Sequence, residues 1–152
     1  MTSPWVNDSN AAMLTDLYEL TMLQSYFDKG MNDVAVFDLF MRRLPHNRNY
    51  LVACGLEHIL HYLETLSFSA DAIDYLRSLN RFSDDFLESL HSFRFLGDVY
   101  AVPEGTIVFA NEPLIEVIAP IIRLARFKQY QSGCFTTVYC QAFGSGGNKG
   151  NK

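Results

Sequence analysis

The chain has 152 residues, of which 49% are hydrophobic and 19% are charged, and its formal net charge is −5 at pH 7. These values are typical of a globular protein, and they exclude a disordered chain, a coiled coil and a basic nucleic-acid binder as first interpretations. The length allows one domain, or one domain with an appendage, and no apolar run approaches the roughly 20 residues that cross a bilayer.

The first predicted element is an amphipathic helix over residues 14–29, where apolar side chains recur at every third or fourth position. Thr15 or Asp16 can cap its first turn with a side-chain oxygen, and Gly30 can end it because glycine tolerates a positive φ. Residues 34–43 are rich in β-branched and aromatic side chains, which predicts a strand.

Three further helices are predicted in the middle of the chain, where the apolar spacing is again helical. They cover residues 55–66, 70–79 and 84–93, and Ser69 and Ser83 can cap the second and third of them. In the first of the three, the side chains expected to face the core are Leu56, Ile59, Leu60 and Leu63.

The pattern then changes from helical spacing to short strand-like segments. Residues 98–102, 106–110 and 114–118 are predicted as three strands, separated by turns that contain proline, glycine and asparagine. Because short turns favour antiparallel pairing, these strands are expected to form a meander. The predicted fold class is therefore α+β, with helices packed on one face of a small, largely antiparallel sheet.

Charge is distributed unevenly along the chain. Residues 1–120 carry all 17 acidic residues and 7 basic ones, whereas residues 121–152 carry five basic residues and no acid. The change near Pro120 predicts a boundary there, followed by a basic tail over 121–152 that ends in a flexible Gly-rich segment. Because the first predicted helix begins at residue 14, residues 1–13 are predicted as an N-terminal arm and residues 14–120 as a domain. Two interpretations of the tail stay open: a basic surface helix with a frayed terminus, or a sequence that departs from the course of the domain.

The three cysteines, Cys54, Cys134 and Cys140, are few and odd in number. The N-terminus is polar and lacks the pattern of a secretory signal, so they are expected to be free thiols of a cytosolic protein. The four histidines have no cysteine or paired acid at ligand spacing, and no metal site is predicted. The Gly-rich end lacks the strand-to-helix glycine pattern of a phosphate-binding loop.

Two features of the sequence could carry chemistry. Arg42 and Arg43 stand together at the end of the predicted apolar strand, where a guanidinium fork can bind phosphate oxygens. The alternative is that both arginines simply mark the exit of the strand into solvent. Tyr18, in the first predicted helix, is either a core residue or an aromatic face that can stack on a planar ring.

Four segments of the chain together resemble one family. They are LTDLYELTM (residues 14–22), FDLFMRRLP (37–45), the CGL start of a helix (54–56) and VPEGTIVFANEPLIEVIAP (102–120). Their order and spacing are similar to those of the N-terminal region of nicotinate phosphoribosyltransferase, a type II phosphoribosyltransferase. Each segment alone is a weak signal, whereas four in series are specific.

The resemblance implies an activity in NAD biosynthesis by salvage. The family transfers the phosphoribosyl group of phosphoribosyl pyrophosphate to nicotinate, which gives nicotinate mononucleotide and pyrophosphate. This glycosyl transfer is coupled to ATP hydrolysis, as in a ligase, and Mg²⁺ assists the pyrophosphate. The resemblance further implies a small α/β domain, an irregular α/β barrel, and a homodimer with sites at the subunit boundary.

The family match also implies roles for individual residues. Tyr18 matches a tyrosine that stacks on the pyridine ring from the neighbouring subunit, and Asp16 matches an acidic position beside it. Because a carboxylate would repel the carboxylate of nicotinate, Asp16 is expected to orient or cap rather than to bind the substrate directly. Arg42 and Arg43 are expected to bind phosphate or pyrophosphate across the dimer boundary.

The resemblance stops after Pro120, where the charge also changes. The barrel is absent from this sequence, and with it the histidine that accepts phosphate from ATP and most substrate-binding arginines. The chain is therefore expected to be a truncated or alternatively terminated form, inactive alone, with no catalytic residue and no Mg²⁺ or ATP bound by itself. The alternatives are a non-catalytic interaction module that pairs with a full-length subunit, and an unstable product without function.

Overall fold

The structure is a computed structural model, and it describes residues 10–44, 46 and 48–124. A 3-10 turn at Ala11–Met13 precedes the helices α1 (Leu17–Asp28), α2 (Leu56–Thr65), α3 (Ala70–Ser78), α4 (Asp84–His91) and α5 (Ile121–Leu124). The strands are β1 (Val34–Phe40), β2 (Leu51–Val52), β3 (Asp98–Ala101), β4 (Ile107–Val108) and β5 (Pro113–Pro120). The α+β class predicted from the sequence is confirmed.

The main sheet has three strands in the order β1-β5-β3, and both pairings are antiparallel. In its register Asp38 lies opposite Glu116, and Glu116 lies opposite Tyr100. Side chains along β1 alternate between exposed and half-buried, so one face of the sheet is covered and the other, the outer face, is open. The covered face contributes the buried side chains of Ile115 and Val117 to the core.

The predicted meander is wrong. The strand β4 does not lie between β3 and β5; it pairs instead with β2, with Leu51 opposite Val108. The backbone N–H of Ala53 donates to the carbonyl of Thr106 at 2.8 Å, and that of Gly105 donates to the carbonyl of Ala53 at 2.8 Å. These bonds and the burial of Leu51 and Val108 hold the segment between β3 and β5 away from the main sheet.

The helix ends follow local sequence signals closely. The hydroxyl of Ser69 accepts from the N–H of Ala72 at 3.3 Å, and that of Ser83 accepts from the N–H of Phe86 at 3.4 Å, so both predicted caps are confirmed. At the end of α1, Gly30 has φ +61°. Its N–H donates to Phe27 and the next N–H donates to Tyr26, which is the paired hydrogen bonding of a Schellman motif.

The helices cover the inner face of the sheet and build one core. Its largest fully buried side chains come from α1 to α5 and β5, and they are Phe86, Leu20, Leu23, Ile59, Ile73, Leu76, Leu87, Leu90, Ile115 and Leu124. The prediction that Leu60 faces inward is wrong, because 38% of that residue is exposed. Tyr62 is buried instead, since it shares a helix face with Ile59 and Leu63 at three- and four-residue spacing.

Gly97 allows the chain to pass close to β5 before β3 begins. A Cβ atom added there would lie 2.4 Å from the Cβ of Ala119 and 2.6 Å from the carbonyl oxygen of Ile118. Both distances are far below van der Waals contact, so only glycine fits at this crossing.

Residues 1–9 of the arm predicted over 1–13 lie outside the described residues, as do most of the basic tail, its Gly-rich end, Cys134 and Cys140. The rest of the arm forms the 3-10 turn at Ala11–Met13. Cys54 is a half-buried free thiol. No helix in the described ranges has the length and apolar character needed to span a membrane.

Candidate functional site

The start of α1 presents an exposed aromatic ring on a buried acid. Tyr18 is 55% exposed, whereas the neighbouring Glu19 is 1% exposed. The phenol hydroxyl of Tyr18 donates to Oε1 of Glu19 at 3.1 Å, and Oγ1 of Thr15 donates to Oε2 of the same carboxylate at 3.0 Å. Tyr18 is therefore a surface residue, and the alternative that it belongs to the core does not hold.

The local sequence explains why these three side chains meet. Asp16 is the N-cap residue of α1 with extended backbone angles, and the helix begins at Leu17. Glu19 then occupies the third helical position, from which a side chain can reach back toward the residues that precede the helix. Thr15, one residue before the cap, supplies the hydroxyl that meets it.

Asp16 stands at the cap position, but its carboxylate makes no capping hydrogen bond to the backbone. Its side chain is exposed, and the N–H of Glu19 donates to the carbonyl oxygen of Asp16 at 3.0 Å rather than to the carboxylate. An orienting or capping role for Asp16 stays a prediction.

The Glu19 carboxylate also changes the acidity of the phenol. The hydrogen bond to Glu19 and the negative charge of Glu19 raise the pKa of Tyr18 above its ordinary value of 10.0, with smaller contributions from burial and from the charge of Asp16. The phenol is therefore protonated and committed as a hydrogen-bond donor throughout the neutral range.

The second candidate group lies just beyond β1. Arg42 and Arg43 are both exposed, and the strand ends at Phe40, earlier than the predicted residue 43. The carbonyl of Met41 accepts from the N–H of Asn111 at 2.7 Å, which ties this strand end to the turn before β5.

Neither guanidinium of the pair has an ion-pair or hydrogen-bond partner among the described residues. Two adjacent cations without an internal partner can bind an anion such as a phosphate. Tyr18 lies in α1, whereas Arg42 and Arg43 follow β1. No hydrogen bond in the described part of the chain joins Tyr18 to either arginine, so the aromatic group and the cationic group are not linked directly.

Sequence reasoning missed Glu19 as part of the site. The available signal was the acid three residues after Asp16, which is where a capping box places its acid relative to the N-cap residue. It also missed Glu104, whose Oε1 accepts from the N–H groups of Gly55 and Leu56 at 2.8 and 2.7 Å. Glu104 thereby fixes the start of α2 and joins the CGL segment to the PEG segment.

A cavity of about 240 Å³ opens between α1, α4 and α5. Its lining includes Leu23, Phe27, Phe86, Phe93 and Arg123. None of the residues singled out from the sequence as site residues lines it.

The family resemblance implies a magnesium ion, which prefers several oxygen ligands in an octahedral arrangement. Within residues 10–44, 46 and 48–124, no three His, Cys, Asp or Glu side chains come together in a way that could hold a metal ion. Both oxygens of Glu19 already accept hydrogen bonds. The described residues therefore do not fit a magnesium site of their own.

Comparison with known proteins places this geometry in a family. The family model of the nicotinate phosphoribosyltransferase (NAPRTase) N-terminal domain matches residues 13–127. The nicotinate phosphoribosyltransferase pncB2 of Mycobacterium tuberculosis is 50% identical over 111 residues, which are 73% of this chain and 24% of the relative. The Bacillus subtilis nicotinate phosphoribosyltransferase is 38% identical over 116 residues, 76% of this chain and 24% of the relative.

Solved structures agree with the sequence relatives. The crystal structure of human nicotinic acid phosphoribosyltransferase matches with a TM-score of 0.68 and 30% identity, over 75% of this chain and 24% of the human chain. A nicotinate-nucleotide pyrophosphorylase from Pyrococcus furiosus, at 20% identity and a TM-score of 0.56, shares the fold over 84% of this chain and 26% of its own.

This chain spans about a quarter of the length of the relatives that it matches. The family match nevertheless covers most of the described residues and includes the α1 start, the end of β1 and the contact between Gly55 and Glu104. The chain therefore belongs to the nicotinate phosphoribosyltransferase N-terminal domain family.

Proposed function

We propose that this chain supplies one side of the substrate site of a nicotinate phosphoribosyltransferase, which forms nicotinate mononucleotide in NAD salvage. The observation that carries the proposal is the exposed ring of Tyr18, whose hydroxyl donates a hydrogen bond to the buried carboxylate of Glu19. Both residues lie within the segment that matches the family model. An aromatic ring that is both exposed and held in place is suited to stack on a planar ligand.

In this proposal Tyr18 stacks on the pyridine ring of nicotinate bound at the site of a neighbouring subunit. Asp16 is exposed and without a capping bond, and it orients the substrate or the helix start rather than binding the nicotinate carboxylate. Two carboxylates in direct contact would repel each other, which supports this division of roles.

Arg42 and Arg43 bind phosphate or pyrophosphate oxygens of the second substrate, phosphoribosyl pyrophosphate. Their exposure and the absence of an internal partner among the described residues support this role. Guanidinium groups can stabilise the charge that develops on a leaving pyrophosphate.

The chain alone is proposed to be inactive, because the rest of each site, including the ATP-coupling residues, lies in the three quarters of the family length that it does not span. Placement in the cytosol and pairing as a dimer belong to the same proposal. The free thiol of Cys54 supports a reducing compartment.

Complementation between subunits tests the proposal. A full-length relative whose own stacking tyrosine is replaced by alanine is mixed with this chain, and nicotinate mononucleotide formation is measured. We expect wild-type chain to restore activity and Y18A chain to fail, while Tyr75→Ala, which removes a tyrosine of similar exposure on α3, restores as well as wild type.

Two results would overturn the proposal. One is nicotinate mononucleotide formation by the isolated chain at a rate near that of a full-length relative. The other is equal restoration by wild-type and Y18A chains. Calorimetry with nicotinate, phosphoribosyl pyrophosphate and ATP, on the chain alone and in the mixture, shows where the complete pocket forms.

A second candidate function is that of a non-catalytic module that pairs with a full-length subunit. The outer face of the sheet favours it, because Val34, Val36 and Tyr100 are 69%, 53% and 58% exposed there. The same face also carries the acids Asp38 and Glu116, and exposed apolar side chains grouped on one face with polar residues among them mark an interaction surface. Val36→Lys should abolish co-purification with a full-length relative, whereas Tyr75→Lys on α3 should not; equal retention of both variants argues against this module.

A further inference from the structure

We propose that Glu19 is a positioning residue that holds the ring of Tyr18, so that Tyr18 offers a ligand its aromatic face and not its hydroxyl proton. This inference rests on the proposed function only where it names a pyridine as the ligand. Its structural part, the fixed ring, concerns the chain alone.

The first support is the contrast in burial between two adjacent residues. Glu19 is 1% exposed and Tyr18 is 55% exposed, so the hydrogen bond between them joins a buried carboxylate to an exposed ring. A carboxylate buried to this degree needs hydrogen bonds that replace its lost hydration. The Tyr18 phenol is one of the groups that provide them.

The second support is that each carboxylate oxygen holds a different hydroxyl. Oε1 accepts from Tyr18 at 3.1 Å and Oε2 accepts from Thr15 at 3.0 Å. Two bonds at opposite oxygens fix the rotation of the carboxylate as well as its position. The direction of the bond to Tyr18 is therefore set by the helix start and not by the exposed ring.

The third support is the hydrogen-bonding capacity of the Tyr18 phenol. A tyrosine hydroxyl has a single proton to donate, and this one is donated to Glu19. Toward a ligand, the Tyr18 oxygen can only accept. Recognition through Tyr18 therefore selects a flat ring by stacking, and polar groups of the ligand must find their donors on other residues.

The chain contains matched tyrosines for comparison. Tyr75 and Tyr100 are 57% and 58% exposed, which is close to Tyr18, and neither hydroxyl has a hydrogen bond within the described residues. If exposure alone governed ring motion, the three rings would be equally mobile. If Glu19 holds Tyr18, only the Tyr18 ring is ordered.

Ring dynamics measured by carbon-13 relaxation, on the full chain with labelled tyrosines, test the positioning without any ligand. We expect an order parameter near 0.8 for the Tyr18 ring and below about 0.6 for Tyr75 and Tyr100. The loss of one resonance in each of Y18F, Y75F and Y100F assigns the three rings. Equal order parameters for these rings in the wild-type chain would overturn the proposal, and the order parameters themselves are all measured on wild type.

The substitution E19Q then tests the cause. Glutamine keeps the shape of the side chain but has one oxygen in place of two and no charge, so its oxygen can face only one of the two hydroxyls. We expect a more mobile Tyr18 ring and a pKa of Tyr18 that falls toward its ordinary value. In Y18F/E19Q, the second substitution should add nothing to the change in the order of the residue-18 ring. An unchanged Tyr18 ring and pKa in folded E19Q would contradict the assignment.

Nicotinate separates this inference from the proposed function. It is titrated as the probe at millimolar concentration into the mixture of this chain with the full-length relative that lacks its own stacking tyrosine, while the Tyr18 ring resonances of this chain are followed. Because ordering a free side chain opposes binding, we expect E19Q to weaken the response about two- to tenfold. An ordered Tyr18 ring with no response to nicotinate supports the positioning and counts against the proposed function; a mobile ring counts against the positioning whatever nicotinate does.

Discussion

Two helix starts in this molecule use a glutamate in opposite ways. At α2, Glu104 reaches across from the turn after β3 and accepts from the backbone N–H groups of Gly55 and Leu56. At α1, Glu19 accepts from the side chains of Thr15 and Tyr18 instead. The carboxylate of Glu104 joins two distant segments of the chain, whereas that of Glu19 holds the hydroxyl of an exposed ring.

The difference separates a carboxylate that stabilises the fold from one that orients other side chains, within a single domain. A carboxylate that satisfies backbone donors at a helix N-terminus contributes to stability, because those donors have no partner within the helix. A carboxylate whose two oxygens each accept from a side-chain hydroxyl contributes to the orientation of those side chains. Substitutions at α2 should therefore change stability, and substitutions at α1 should change the site.

The largest effect is expected for Gly55→Ala. Gly55 has φ +99°, a conformation that side chains rarely adopt, so alanine should lower the free energy of unfolding by about 2–3 kcal/mol. Gly30→Ala is the matched control, because Gly30 has φ +61° with open space around it, and should lose about 1 kcal/mol. Chemical denaturation measures both, and equal losses would show that the α2 start is not specially constrained.

Glu104→Ala should follow, with a loss of about 2 kcal/mol. The substitution removes the single oxygen that accepts from two backbone N–H groups at the positive end of α2. Glu104→Gln keeps an oxygen acceptor without the charge and should lose about half as much. If the alanine variant unfolds at the same denaturant concentration as wild type, the tie between the two segments is not a source of stability.

The cap of α1 should prove weaker than the caps of the other helices. Ser83→Ala removes a side-chain bond to the N–H of Phe86 and should lose about 1 kcal/mol. Asp16→Ala removes no such bond and should lose less than about 0.5 kcal/mol. Thermal unfolding of the two variants side by side measures the difference, and a larger loss for Asp16→Ala would assign it the capping role.

Tyr18→Phe keeps the apolar atoms of an exposed ring but removes one donor from the buried carboxylate of Glu19, so it should lower the free energy of unfolding by about 1 kcal/mol at neutral pH. The effect should depend on pH. Since folding raises the pKa of Tyr18 above its ordinary value of about 10, the phenol supports the folded state below pH 10 and loses that contribution as pH rises through the folded pKa. Wild type should therefore lose stability relative to Y18F above pH 10, and a constant difference would contradict the bond to Glu19.

Elements governed by local chemistry could be predicted from the sequence. The serine caps at 69 and 83 and the glycine end of α1 follow from side chains within a few residues of the bond they make. The pairing of β2 with β4 could not, because two-residue strands carry no periodicity and their contacts join residues more than fifty positions apart. The prediction that Leu60 faces the core was wrong because helical spacing alone does not say which side of the apolar face of a helix packs against the rest of the domain.

The site was predictable to a similar extent. The residue types and the family resemblance of their segments indicate Tyr18, Arg42 and Arg43 as candidate site residues, and all three are exposed in the structure. The burial of Glu19 was not predictable, because an acid in a first helical turn is expected on the solvated side and its burial depends on non-local packing. The roles of the exposed residues stay predictions.

The register of β1 has a consequence for how the domain is made. Asp38 finds its partner Glu116 about 80 residues later in the chain, while α2, α3 and α4 complete their own local contacts in between. On the ribosome, an apolar first strand therefore waits unpaired until β5 has emerged, and such long-range closure is slow. Chaperones that shield nascent chains should engage this strand before the helices need any help.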